Sequence, residues 1–183
     1  MSIKRNVHLV TGGRFHDTGF ARLELLKLLA ELPCASVSVG QDFSSIDQIL
    51  KADLLISYTC DVRPTFAQQV VLKAFLERGG RWFALHGTNS FLDFDTTDGP
   101  IDAFGVTIPG VPFAPDLAPE FTSLLGTRFV THPPIQPFQV TVAEPEHPIV
   151  AGIEDFTAID EPYCCEVFGP IKVLLESRYS SEN

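Results

Sequence analysis

The amino-acid sequence predicts an α/β protein built on a parallel β-sheet with helices on both faces. Two observations carry this. Through residues 1–90, short apolar runs of strand length alternate with longer stretches of helical periodicity. Gly and Pro residues punctuate the junctions between them.

Residues 7–11 are a short apolar run ending in Gly12-Gly13, read as a buried strand and a tight turn. Residues 18–32 set Phe20, Leu23, Leu25, Leu26, Leu28 and Leu29 at helical spacing, and Pro33 stops the helix. Residues 35–39 alternate small and β-branched side chains, a second strand, and residues 53–58 are a third. Residues 63–78 form a second helix, with Pro64 in its first turn and Phe66, Val70, Val71, Ala74 and Phe75 on its apolar face. Gly79-Gly80 closes it. Residues 81–85 are a fourth strand running into His86-Gly87. This alternation is the pattern of a doubly wound sheet with right-handed crossovers.

The texture changes after Phe91. Residues 93–119 are rich in Asp, Gly and Pro, which predicts a long, partly ordered loop. Residues 121–125 are expected as a short helix and 138–142 as a strand. Residues 156–159 and 171–176 are expected as further, hairpin-like strands. There is no internal repeat or low-complexity segment, so residues 1–183 are expected to form one domain.

Composition narrows the partners. With 45% hydrophobic residues, the chain of 183 can bury a globular core. Its net charge of -10 repels phosphate backbones and anionic membranes, so no nucleic-acid or membrane partner is expected. No apolar run approaches the ~18–20 residues of a membrane span, and the first ten residues lack a signal-peptide pattern. Cys34, Cys60, Cys164 and Cys165 follow neither a disulfide framework nor Cys-x-x-Cys spacing, so a reduced, cytoplasmic setting is expected.

In an open parallel sheet, ligands bind outside the C-terminal strand ends, where the strand order reverses. With the first strand beside the third and the third beside the fourth, loops 12–19, 59–63 and 86–90 meet. They carry His16, Asp17, Cys60, Asp61, His86, Thr88 and Asn89. His86 stands out: it follows an apolar strand and precedes Gly87, so a tight turn should aim its imidazole into the crevice. Imidazole also suits proton transfer near neutral pH. Asp17 reads equally well as a helix cap. His132-Pro133-Pro134 and His147-Pro148 read, taken alone, as structural loop histidines. Residues 160–163 set two carboxylates beside a phenol, for which a solvated acidic turn is the plain alternative. Cys60 is weighed as a nucleophile, but a small core residue is the better reading. There is no Gly-x-Ser-x-Gly elbow and no phosphate-binding glycine motif, so a nucleotide cofactor has no support.

Taken in order, these pieces resemble the ThuA-like family, named for trehalose utilisation. They are Gly12-Gly13 with His16-Asp17, Gly79-Gly80-Arg81-Trp82-Phe83-Ala84-Leu85-His86-Gly87, His132-Pro133, His147-Pro148-Ile149-Val150 with Gly152-Ile153, and Asp160-Glu161-Pro162-Tyr163. The resemblance runs from about residue 7 to about residue 176. It implies a fold similar to class I glutamine amidotransferases: a flavodoxin-like, three-layer sandwich with a mostly parallel sheet. In those enzymes the elbow after the corresponding strand carries a catalytic Cys. Here it carries His86, so glutamine hydrolysis is disfavoured. The resemblance also implies a role in carbohydrate metabolism. The sequence stops at Asn183 before the later strand and Gly-His segment usual in that family, so the expectation is a ThuA-like domain without that C-terminal part, either a natural short variant or a truncated chain.

The expected function is an enzyme acting on a sugar or sugar derivative, as a hydrolase, lyase or isomerase. His86 is expected as general acid/base or ligand, with Glu161 or Asp160 sharing protons. His16, Asp17, Asn89, His132 and Tyr163 are expected to contact the substrate. A divalent metal such as Zn²⁺ is an open expectation, with His16, His86 and His132 as its candidate ligands, although no local metal motif is present. The alternative is a non-catalytic carbohydrate-binding or interaction module. A homo-oligomer is compatible with either.

Overall fold

The protein is seen in a computed structural model that describes residues 4–93 and 114–178. Its first half alternates strictly: β1 (Arg5–Gly13), α1 (Thr18–Ala30), β2 (Ala35–Gly40), α2 (Ile46–Lys51), β3 (Leu54–Cys60), α3 (Phe66–Glu77) and β4 (Arg81–Leu85). The second half holds α4 (Pro119–Leu125), β5 (Thr127–Thr131), β6 (Gln136–Val142), β7 (Phe156–Asp160), β8 (Cys164–Val167) and β9 (Leu175–Ser177). Most of the long loop expected over residues 93–119 lies outside the described residues.

The main sheet has the order β2-β1-β3-β4 with every pair parallel, the adjacency expected from the sequence. Strand parity explains its two-sided burial, because successive side chains point to opposite faces. Val7, Leu9 and Ile56 pack with Leu29 of α1 on one face. Val10 and Leu55 pack on the other with Ile49 of α2, Leu72 and Phe75 of α3, and Phe121 of α4. The result is the helix–sheet–helix layering of a flavodoxin-like α/β fold.

Local chemistry sets the helix starts. Asp17 caps α1, its carboxylate accepting from the Phe20 N–H at 2.8 Å. At α3, Thr65 and Gln68 form a reciprocal capping box. That box, rather than Pro64, fixes the helix start at Phe66, later than expected.

Three elements were not expected. α2 has six residues, and β5 and β8 pair antiparallel with each other across a register irregularity between Phe129 and Thr131. β6 pairs antiparallel with both β7 and β9, so the hairpin-like reading of this region holds. The strand expected over residues 171–176 is confined to Leu175–Ser177. Among the described residues, no helix is long and apolar enough to cross a membrane.

Candidate functional site

The C-terminal ends of β1, β3 and β4 open into the three loops that the strand order brings together. Each loop holds one non-glycine residue in the left-handed region: Phe15 at φ 71°, Asp61 at φ 58° and His86 at φ 46°. Such conformations cost about 1–2 kcal/mol apiece and persist only where the surroundings enforce them.

The enforcement is visible at each loop. At the end of β1, Gly13 has φ 105°, and a Cβ there would lie 1.9 Å from the Cys60 carbonyl oxygen. Arg22 of α1 braces the same strand, donating from Nε to Thr11 Oγ1 at 2.7 Å and from its terminal nitrogen to the Thr11 carbonyl at 2.9 Å. At the end of β3, the Asp61 carboxylate pairs with Arg14 and Arg63 and accepts from the Leu92 N–H at 3.1 Å. At the end of β4, residues His86–Asn89 form one 3-10 turn. A Cβ on Gly87 would lie 2.9 Å from both the Thr59 carbonyl oxygen and Cys60 Cβ. Thr88 anchors the turn from below, its hydroxyl donating to the Leu85 carbonyl at 2.9 Å. The turn therefore requires a small residue after His86, as the sequence implied.

His86 is thereby aimed at a cluster of rings and one carboxylate. Its ring centroid lies 4.5 Å from that of His16, 5.8 Å from Tyr58 in a stacked arrangement, and 4.4 Å from Tyr163. His86 Nε2 is 3.1 Å from Tyr163 Oη and 3.4 Å from Glu161 Oε2. His16 Nε2 is 3.5 Å from the same Tyr163 oxygen. His132 approaches the other carboxylate oxygen of Glu161, at 3.9 Å, and donates from Nδ1 to the Pro133 carbonyl at 2.9 Å. Glu161 and Tyr163 sit between β7, which pairs with β6, and β8, which pairs with β5. The two small sheets thus hold the acidic turn over the mouth of the large one. Phe129 of β5 backs Tyr163 at a centroid distance of 4.4 Å.

His86 lines an open groove with His16 and Tyr58, while His16, Glu161, Tyr163, His132, Phe129 and Cys60 line a cavity of about 360 Å³. No Lys or Arg is among the described residues that line it. Burial is the main cause that pushes the His86 imidazole below its ordinary value. The neighbouring His16 adds to this, while Asp160 and Glu161 pull the other way. Burial first, then Cys60 and Glu161, raises the Tyr163 phenol, which stays protonated and can donate. Burial pushes the Cys60 thiol up to about 11. Little nucleophilic thiolate is therefore present near neutral pH.

Of the expected site residues, His16, His86, His132, Glu161 and Tyr163 converge. Asp17 is engaged as the α1 cap, although it also borders an apolar groove between α1 and the β3–β4 strand ends. Asn89 ties the turn to the small sheet, donating to Thr127 Oγ1 at 2.9 Å, while its buried Oδ1 has no partner among the described residues. Asp160 turns back to accept from the Glu161 N–H at 2.8 Å and reaches His86 only as a nearby charge. Of the three histidines expected as metal candidates, His16 and His86 come together with Glu161, not His132, as the third donor. Tyr58 and Phe129 were missed. Tyr58 could have been found from parity at the end of β3. Phe129 lies on a strand that was not read.

The chain matches no family model and no curated protein by sequence. Its fold is similar to that of a protein from Bacteroides uniformis ATCC 8492, provisionally named ThuA-like, with a TM-score of 0.69 at 18% identity. The match covers 97% of this chain and 70% of that one. A second protein provisionally named ThuA-like, from Parabacteroides merdae ATCC 43184, matches with a TM-score of 0.63 at 15% identity. It covers 98% of this chain and 70% of that one.

Proposed function

We infer that this protein is an enzyme acting on a sugar or sugar derivative, with His86 at the reacting centre. The observation that carries the reading is the placement of His86 Nε2, within 3.1 Å of a phenol and 3.4 Å of a carboxylate that both line a 360 Å³ cavity. A depressed imidazole pKa keeps His86 in its neutral form near pH 7, the form that accepts a proton or binds a cation. Glu161 stabilises the imidazolium that proton uptake would create, and Tyr163 donates to an oxygen on the substrate. This set serves proton transfer in a hydrolase, lyase or isomerase. The cavity is of a size for one or two sugar rings, and Phe129 and Tyr163 supply aromatic faces for their C–H surfaces. The lack of Lys and Arg on the described walls favours an uncharged sugar over a phosphorylated one.

His86→Asn tests the role, because asparagine tolerates the left-handed backbone better than most residues. The wild-type protein and the variant are screened against neutral mono- and disaccharides by calorimetry, with turnover followed by NMR. The expected result is turnover by the wild type, lost in a folded variant. Saccharide binding that survives His86→Asn, with no turnover by either protein, favours a carbohydrate-binding module, for which the same aromatic walls suffice.

A further inference from the structure

We propose that His16, His86 and Glu161 form the binding site of a single divalent transition-metal ion of the zinc class. The inference rests on the sugar-directed reading for its centre but replaces proton transfer at His86 Nε2 by ligation, because a ligated lone pair takes no proton; it stands on donor geometry alone.

The three residues come from three separate parts of the chain: the β1–α1 loop, the turn after β4 and the turn after β7. One donor atom from each lies within 4.8 Å of the others. In a tetrahedral site with metal–donor distances of about 2.0–2.2 Å, donors stand roughly 3.3–3.5 Å apart. His86 Nε2 and Glu161 Oε2 already hold that spacing, at 3.4 Å. Tyr163 Oη stands 3.1 Å and 3.5 Å from the two imidazole nitrogens. It is therefore placed to hydrogen-bond to a water in the fourth position. The two remaining edges, from His16 to each of the others, lie within 4.8 Å, so binding draws the half-buried His16 ring inward.

Two further features favour a cation here. Both Nε2 atoms face one phenol oxygen, which has a single proton to share between them. A metal ion would use both lone pairs at once. Glu161 also has a partner outside this set, because its other oxygen faces His132, the kind of outer contact that orients a ligating carboxylate. Nitrogen and oxygen donors without a thiolate suit zinc, cobalt and their neighbours.

The experiment uses the full chain without an affinity tag, stripped with chelator and titrated with Co²⁺, whose visible absorption reports low-coordinate binding. Zn²⁺ then competes for the same site. One equivalent should saturate the band, and Zn²⁺ should abolish it. His86→Asn and Glu161→Gln, shown folded by circular dichroism, should each weaken binding by more than the roughly 10–100-fold that loss of an outer partner costs. His16→Gln serves if either variant fails to fold. His132→Asn should keep one equivalent.

No saturable band in the wild type overturns the proposal, as does undiminished affinity in a folded His86→Asn or Glu161→Gln protein. Loss of the band in a Cys164→Ser, Cys165→Ser double variant would also overturn it, by moving the ion to the exposed cysteines. A bound metal with no sugar turnover leaves this inference standing and removes the functional one. Full sugar turnover by a protein that shows no saturable Co²⁺ band does the reverse.

Discussion

Tyr163 Oη lies 3.1 Å from His86 Nε2 although 77 residues separate the two in sequence. One hydrogen bond thus joins the turn after the last strand of the parallel sheet to the loop between the two small antiparallel sheets. Tyr163→Phe removes the hydroxyl and keeps the ring contact with Phe129. Stability is expected to fall by about 1 kcal/mol, the usual worth of a partly buried hydrogen bond. Turnover is expected to fall more than substrate binding, which a split between kcat and KM checks.

Gly87→Ala should cost more stability than any contact its methyl could gain. The added carbon would meet the Thr59 carbonyl and Cys60 Cβ at 2.9 Å, and the Thr59 oxygen belongs to rigid backbone. A loss of about 1–3 kcal/mol is expected, in the range of other overpacked sites. Urea denaturation measures it, and an unchanged midpoint would show that the turn has room.

Stability should decline as pH falls below the ordinary histidine range. His8 is buried in β1, with Nδ1 2.8 Å from Ser38 Oγ and, among the described residues, no partner at Nε2. Burial lowers its pKa. The unfolded chain then takes up a proton near pH 6.5 that the folded chain resists. The stabilisation from neutral His8 is thus present above the unfolded value and drains away as pH drops through and below it. His86 is shifted in the same direction and adds to the slope. Urea midpoints from pH 8 to pH 5 should show a shallower decline in His8→Gln than in the wild type.

The cysteines should differ sharply in reactivity. Cys60 is 2% exposed, with its thiol pushed up to about 11 by burial. Cys164 and Cys165 are both exposed as residues, but partial burial of the Cys165 thiol raises it. Alkylation at pH 8 followed by peptide mass mapping should label Cys164 before Cys165. Cys60 should stay unlabelled until the chain is denatured. Early labelling of Cys60 would reopen the nucleophile reading.

The parallel half of the fold was legible in the sequence because its signals are local. Runs such as Asp53-Leu-Leu-Ile-Ser-Tyr58 and helix breaks such as Pro33 and Gly79-Gly80 need no distant partner to interpret. His86 was legible for the same reason, from the apolar strand before it and the glycine after it. The antiparallel half was less so. β5 and β8 are short, lie more than 30 residues apart and pair across an irregularity, so neither announces the other. α2 has a single buried residue, Ile49, and no side-chain cap, and falls below the length at which periodicity speaks. The joining of Glu161 to His86 came from the family resemblance, and the Tyr163–His86 contact was not read at all, since both depend on how the two small sheets seat above the large one.

The left-handed backbone at residue 86 makes this position a socket. The direction of its side chain is set by the main chain, by the closeness of Gly87 to β3, and by the Thr88 anchor, none of which depends on an imidazole. A different side chain placed there would leave the backbone in the same direction, toward Glu161 and Tyr163. His86→Cys would thus present a thiol to a carboxylate and a phenol, with no other change in the turn. The scaffold and the reagent it carries can be exchanged separately, which makes this turn a natural starting point for redesigning the chemistry at the crevice.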